Sequence, residues 1–399
     1  MTPDQQQLVK ATVTVLKAHG VALTTHFYNR MFTHNPELKH IFNMGNQVNG
    51  KQQTALAMAV LAYAEHIDNP AVLMPVIDSI GHKHTSLSIR AEHYAIVGQH
   101  LLASIAEVLG EAATPQLLDA WATAYRQLAG IMSGHEQSLY HQQLEKKGGW
   151  TGWKPFTVKQ KTKESAEITS FYLYPADNGP VADFQPGQYI SLRLFLPELQ
   201  LMQPRQYSIS CAPNRQYYRI SVKREAGAVH PDGMISNRLH DHVHEGDIVE
   251  LSAPAGTFTL DPSNGRPKVF ISGGVGQTPL LSMLETLTAQ QPETPVTWVH
   301  GCRNESVHAF KDQLATLADR HNHFNYHIFY DQPEVKAQYT GWVDLSAIKE
   351  NVLQPDADYY ICGPAPFIAK HYSFLVENGV GTDSIHFEEF GPASLQLHN

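Results

Sequence analysis

The chain predicts three folds in series: an all-helical unit, an antiparallel β-barrel, and an α/β unit built on a parallel sheet. Three observations carry that reading. Residues 1 to about 138 show apolar stripes at helical spacing and no convincing strand. From about Trp153, short runs alternate with a period of two between glycines and prolines. From about Pro267, compact apolar runs alternate with amphipathic helices. A chain of 399 residues has room for such domains, each with its own core. The expected boundaries are a helical domain over 1–138, a connector over 139–152, a barrel over 153–261 and an α/β domain over 266–399.

Composition excludes several functions. Lys plus Arg number 29 against 38 for Asp plus Glu, a net charge of −9, so no basic nucleic-acid footprint is present. No apolar run reaches the ~18 residues that a membrane span needs. The polar start, Met1 to Gln7, lacks the apolar core of a signal peptide. Cys211, Cys302 and Cys362 lie far apart with no CxxC. That argues against a disulfide framework or zinc site and for a reducing cytoplasm.

In the helical part, Leu8, Val15 and Leu16 begin one stripe, Leu23, Phe27 and Met31 a second, and Leu56, Val60 and Tyr63 a third. Pro36, Pro70, Pro75 and Pro115 punctuate them. Ile77, Ile80, His84 and Leu87 follow at spacings of 3, 4 and 3, which turns His84 toward the core and His82 away. With 23 histidines in the chain, a core histidine is ordinarily just a satisfied buried group. Haem iron, however, needs one such proximal imidazole. Gln52 before Leu56 offers a donor across the pocket, Tyr28 a phenol, and Phe42 a ring to wedge a porphyrin.

In the barrel, Gln188 to Leu196 alternates Ile190, Leu192, Leu194 and Leu196 with Tyr189, Ser191, Arg193 and Phe195, as a half-buried strand does. Arg205-Gln206-Tyr207-Ser208 follows. Its guanidinium suits a phosphate, its phenol ring an aromatic face and its hydroxyl a ring nitrogen, which together suit a flavin nucleotide. Tyr218, Ile220 and Val222 alternate with Arg219, Ser221 and Lys223, and Ile248 to Leu251 is a further short strand.

In the α/β part, strands are expected at Lys268–Ile271, Val296–Val299 and Asp358–Ile361, the composition of a sheet buried on both faces. Helices carry Leu280, Leu281, Leu284 and Leu287, then Phe310, Leu314 and Leu317. Between the first strand and helix stands Gly273-Gly274-Val275-Gly276-Gln277-Thr278-Pro279. Side-chain-free residues there let the backbone approach a phosphate, although Pro279 replaces the third glycine of a strict GxGxxG.

At this point the chain resembles the bacterial flavohaemoglobins along its whole length. The likeness rests on Tyr28, Phe42, Gln52 and His84 at globin spacing, on Asn35-Pro36-Glu37-Leu38, Ile41 to Met44 and Lys83 to Ser86, and on Gly148-Gly149-Trp150. Pro186-Gly187-Gln188-Tyr189, Gly233-Met234-Ile235-Ser236-Asn237 and the GGxGxTP turn extend it to reductases of the ferredoxin-reductase type. The resemblance implies an all-α globin, an antiparallel β-barrel FAD-binding domain and an α/β NAD-binding domain. It implies one haem b held by His84, one FAD, and NADH or NADPH as electron donor.

It further implies that Tyr94 and Glu136 back the proximal histidine, with Lys83 near a haem propionate. Tyr189 would contact the flavin, and Gly233, Ile235 and Ser236 would hold its pyrophosphate; the lead-in Gly227 to Asp232 is longer than in many relatives. Cys362-Gly363-Pro364 would sit near the nicotinamide, unless Cys362 is simply a buried filler. Glu388-Glu389-Phe390-Gly391-Pro392 would supply the aromatic that covers the flavin. Arg303 would either meet a 2′-phosphate or face solvent.

The activity implied is that of a nitric oxide dioxygenase, with electrons passing from NAD(P)H through FAD to haem and nitric oxide oxidised by O₂ to nitrate. Flavin fits between the other two because it exchanges electrons both in pairs and singly. The alternatives are an NAD(P)H-dependent reductase of alkyl or lipid hydroperoxides, ferric iron or free flavin, with lipid in the haem pocket, and an oxygen-binding carrier or sensor.

Overall fold

The computed structural model describes residues 1–225 and 231–390, without the side chains of Pro231 and Asp232. The chain divides into two compact units. One is Met1–Trp153 with Arg193–Arg205; the other is Lys154–Leu192 with Gln206–Asn399.

The first unit carries seven helices: α1 (Pro3–Ala11), α2 (Val13–His34), α3 (Met44–Val48), α4 (Lys51–Glu65), α5 (Met74–Ser86), α6 (Ala91–Leu109) and α7 (Pro115–Glu145). Their starts follow local chemistry. Thr2 and Gln5 satisfy each other's backbone amides ahead of α1, at 2.9 and 3.2 Å, while Pro75 and Pro115 stand in the first turns of α5 and α7. The expected stripes bury in part: Leu16, Leu23, Phe27, Met31, Val60 and Tyr63 form one core with Leu101, Ile105 and Trp121, but Val15 is 40% exposed and α1 buries Val9 rather than Leu8. Each such side chain contributes about 1.5–3 kcal/mol by leaving water. α2 packs on α4 and α6, and α7 on α1, α5 and α6.

One boundary differs from the sequence reading. The connector expected from residue 139 begins with helix, because α7 runs on to Glu145. Leu139 is buried, and the Tyr140 hydroxyl donates to the Ile89 carbonyl at 2.6 Å, so tertiary contacts hold that turn helical.

The barrel strands are β1 (Lys154–Lys163), β2 (Ile168–Pro175), β3 (Tyr189–Leu196), β4 (Leu201–Ser208), β5 (Tyr218–Lys223) and β6 (Ile248–Leu251), with α8 (Pro231–His242) between the last two. They run in the order β4-β3-β6-β1-β2-β5. An antiparallel bridge from Ile209, just past β4, to Ile220 of β5 ties the two ends of that order together. Residues 193–205, the turn of the β3–β4 hairpin with its flanks, group with the helical unit. There the buried Gln203 side chain donates to the Lys39 carbonyl at 2.8 Å and accepts from the Met44 amide at 3.0 Å. The Met202 amide donates to His40 Nδ1 at 3.0 Å. The alternation read into β5 fails in one respect: Arg219 and Ser221 are buried along with Tyr218, Ile220 and Val222.

The remainder is β7 (Lys268–Gly273), α9 (Gln277–Gln290), β8 (Val296–Cys302), α10 (Lys311–Arg320), β9 (Phe324–Tyr330), β10 (Tyr339–Thr340), α11 (Lys349–Val352), β11 (Asp358–Gly363), α12 (Ala365–Glu377) and β12 (Ile385–Glu389). These six strands are parallel, in the order β10-β9-β8-β7-β11-β12. α9 and α10 cover one face and α12 the other. The chain winds first one way and then the other from β7, so a crevice opens at the carboxyl ends of β7 and β11, where such sheets bind ligands.

Candidate functional site

Three places bring the sequence candidates together. In the helical unit, α5 and α7 lie close because residue 81 is glycine: a Cβ there would stand 2.8 Å from the His135 ring. That approach carries Glu136 to His84. The buried Glu136 Oε1 lies 2.7 Å from His84 Nδ1 and accepts the Tyr94 hydroxyl at 2.5 Å, with Tyr94 Oη 3.1 Å from the same imidazole nitrogen. A carboxylate facing Nδ1 holds the proton there and leaves Nε2 with its lone pair, the tautomer a metal requires. Burial, then the bond to Glu136, pushes the Tyr94 phenol far up, so it stays a donor. The Tyr125 hydroxyl, which no sequence signal singles out, braces the Tyr94 carbonyl at 2.6 Å.

Tyr28 is 5% exposed. Burial pushes its phenol well above the ordinary value, and a hydrogen bond with Gln52 pulls it partly back. Two adjacent glutamines invite confusion, but the buried Gln53 amide is spent on Gln47 at 3.0 and 3.1 Å, and it is Gln52 that lowers the Tyr28 phenol. Phe42 packs edge-on to Tyr28 with centroids 6.0 Å apart, and Phe32, which sequence reading missed, joins both rings. Lys83 is half-buried in the last turn of α5.

In the barrel, Tyr189 opens β3, and Arg205, Gln206, Tyr207 and Ser208 end β4; all five are half-buried. The Arg205 guanidinium donates to the Pro204 carbonyl at 2.8 Å. Gly233, Ile235 and Ser236 fall in the first two turns of α8. Ile235 is fully buried, and the Ser236 hydroxyl already donates to the Gly233 carbonyl at 3.1 Å while accepting the Glu225 amide at 3.3 Å. The backbone amides of the helix start are what remain for an anion. Residues 226–230 of the longer lead-in lie outside the described residues.

At the crevice, Gly273 ends β7, Gly274, Val275 and Gly276 form a 3₁₀ turn, and Gln277 and Thr278 open α9. A Cβ on Gly276 would stand 2.2 Å from the Cys362 carbonyl oxygen, so only glycine lets this turn sit against β11. Gln277 is 1% exposed, yet neither end of its amide has a hydrogen-bond partner. An orphaned buried amide at the head of a helix fits a site meant for a polar ligand. Cys362 is fully buried and its thiol is pushed well up by burial. Gly363 packs on Phe367, and Pro364 precedes α12. Glu388 and Glu389 pair in register with Cys362 and Gly363. Phe390 follows, 41% exposed, and Gly391 and Pro392 lie outside the described residues. Arg303 is exposed, its side chain 57% accessible, and it pairs with Glu167.

Similarity to known proteins agrees with this arrangement. The globin family model matches residues 25–132, the oxidoreductase FAD-binding domain model 155–260 and the oxidoreductase NAD-binding domain model 270–372. The chain is therefore an NAD(P)H-dependent oxidoreductase with haem-, FAD- and NAD-binding domains. A flavohemoprotein of Bordetella parapertussis is 55% identical over 402 residues, covering 99% of this chain and 100% of that one. The crystal structure of flavohemoglobin from Malassezia yamatoensis with bound FAD and heme superposes with a TM-score of 0.86 at 27% identity, over 98% and 99% of the two chains. The FAD/NAD-binding domain of nitric oxide dioxygenase from Vibrio cholerae gives 0.56 at 38% identity, over 60% of this chain and 99% of that one. The chain belongs to the flavohemoprotein family. No described helix is long and apolar enough to cross a membrane.

Proposed function

We propose that this flavohemoprotein is a cytoplasmic nitric oxide dioxygenase, oxidising nitric oxide with O₂ to nitrate at the expense of NADH or NADPH. When bound, the nicotinamide supplies a hydride, FAD passes its electrons on singly, and haem iron takes them one at a time and binds O₂. His84 holds the iron through Nε2. Glu136 and Tyr94 keep the proton on Nδ1 and so make Nε2 the stronger donor. Phe42 would flank the haem, and Lys83 would pair with a propionate. Tyr189 and Arg205 to Ser208 would seat the flavin, the amides at the start of α8 would hold its pyrophosphate, and Phe390 would cover its ring. The turn from Gly273 to Thr278 admits the nicotinamide nucleotide beside Cys362 and Gly363.

The observation that carries the reading is the Tyr28 phenol, buried in an apolar wall with Phe32 and Phe42. A donor fixed in an apolar wall stabilises charge developing on oxygen without reorganising first. A plain carrier shares the need for a donor but not for two reductase domains behind it.

The test uses Tyr28→Phe, which keeps the ring and removes only the hydroxyl. Reduced, oxygen-equilibrated protein is mixed rapidly with nitric oxide and nitrate is counted. The intact protein should give one nitrate per nitric oxide. Tyr28→Phe should release O₂ about tenfold faster, a loss of roughly 1.4 kcal/mol, and form nitrate more slowly. No nitrate from the intact protein, or unchanged O₂ release in the variant, defeats the proposal.

A further inference from the structure

One buried charge pair is used by none of the sites above. Arg219 on β5 is 8% exposed, and its Nη2 donates to Glu285 Oε1 of α9 at 2.7 Å. Glu285 Oε1 also accepts the Gln313 amide of α10 at 2.8 Å, and Oε2 accepts the Ala212 backbone amide at 2.8 Å. Arg219 reaches back to the Ser210 hydroxyl through Nε at 3.1 Å and to the Ser210 carbonyl through Nη2, with its guanidinium 5.7 Å from the Phe310 ring centroid. Beside it, the Ser282 hydroxyl of α9 donates to the Cys211 carbonyl at 2.7 Å. A single carboxylate thus grips β5, the segment 210–212 and α10.

The ends of this network matter more than its middle. Ser210 to Ala212 directly continue β4, whose last residues are Arg205 to Ser208. Glu285 and Ser282 sit on the helix whose head is the turn from Gly273 to Gly276. Stability does not account for charges placed here, since an apolar pair of similar volume is often as stabilising in a protein interior. What directional, charged hydrogen bonds supply is registry.

We propose that the Arg219–Glu285 pair is a positioning device for hydride transfer, fixing the nucleotide turn of α9 against the flavin strand β4. The inference rests on the nicotinamide and flavin seats proposed above and is independent of the nitric oxide chemistry. The hydride carries one hydrogen and two electrons from reduced nicotinamide to flavin, oxidising the first and reducing the second. Such a step needs reacting atoms about 3–3.5 Å apart, and a misplacement of ~1 Å costs about a hundredfold.

The test is anaerobic stopped-flow reduction of the flavin by NADH in the full-length, cofactor-loaded protein, with hydrogen exchange of the 210–212 segment followed in parallel. Glu285→Ala should slow flavin reduction at saturating NADH at least tenfold and speed exchange of the Ala212 amide at least tenfold. FAD content and the half-saturating NADH concentration should change less than twofold. Should Glu285→Ala fail to hold FAD, Glu285→Gln, of the same shape, is read by the same criteria with a smaller slowing. Arg219→Met combined with Glu285→Leu fills the space without the polar network. It should recover the unfolding midpoint while leaving flavin reduction slow. Recovery of both together, or an unchanged reduction rate in Glu285→Ala, overturns the proposal. If NADH fails to reduce the flavin of the unaltered protein, the seats themselves are wrong rather than the device.

Discussion

The two units treat histidine in opposite ways. In the helical unit three imidazoles have carboxylate neighbours, His84 with Glu136 at 2.7 Å, His135 with Asp78 at 2.8 Å and His26 with Glu107 at 3.3 Å, while the buried His100 meets the Asn35 amide oxygen at 2.8 Å. In the other unit the buried ones meet only hydroxyls: His300 meets Ser272 at 2.9 Å, His308 meets Tyr330 at 2.8 Å, and His327 meets Tyr339 at 3.2 Å. His371 has no partner at either nitrogen. A carboxylate fixes one tautomer and offers the opposite nitrogen for use; a hydroxyl in an apolar pocket merely tolerates a neutral ring. In a chain with 23 histidines, the buried acid beside His84 separates it from rings such as His135 and His26, whose acids are exposed.

The largest expected effect tests the candidate itself. His84→Ala should abolish the haem Soret band while FAD stays bound, because the two seats are built from different elements. A normal haem spectrum without added imidazole would break the comparison on its first side.

The second prediction concerns the tolerated rings. Burial, reinforced by Lys311, brings His308 down to about 4 from 6.5, and burial with Lys370 does the same for His371. In the unfolded chain both protonate near 6.5, in the folded chain only near 4. The unfolded state therefore binds more protons as pH falls through this window, and stability drops with it. Above 6.5 the contribution is fully present. Between pH 7 and pH 5 each ring should remove about 2 kcal/mol from the unfolding free energy. Urea titrations followed by Trp298 fluorescence measure it, and His308→Gln should flatten the slope by one ring's share. An unchanged slope would mean that His308 accepts its proton in the folded state.

The smallest effect probes the acid. Glu136→Gln keeps the shape but weakens the pull on the Nδ1 proton. Haem should remain, the iron–histidine stretching frequency should fall, and turnover should drop about tenfold. A frequency equal to that of the unaltered protein would leave Glu136 a spectator.

What the sequence revealed follows from the range of the interactions. Spacings of three and four set His84 toward Glu136, and a period of two marked β3, because helix and strand repeat locally. But His82, expected to face away, has a side chain only 17% exposed against 32% for His84. The glycine turn was readable because its backbone needs are met within a few residues. The partnership of His84 with Glu136 spans 52 residues and came from family likeness. Arg219 looked like the wet face of a strand, and only Glu285, 66 residues on, explains its burial. Nothing near Arg303 announced Glu167. The end of α7 was misplaced for the same reason, since Ile89 is what keeps Tyr140 in a helix.

The grip of Gln203 on Lys39 and Met44 has a consequence for birth on the ribosome. Residues 39 to 44 include Phe42, one wall of the proposed haem seat, and their anchor lies 159 to 164 residues downstream. At synthesis rates of about 5–20 residues per second, the anchor is made roughly 8–30 s after the wall it holds. The helices before Trp153 can assemble meanwhile with Phe42 packed on Tyr28 and Phe32, but the Lys39 carbonyl and Met44 amide wait for their partner until translation has passed the hairpin. A gene fusion or truncation that separates the helical segment near residue 150 makes the delay permanent, leaving the Lys39 carbonyl and Met44 amide to water.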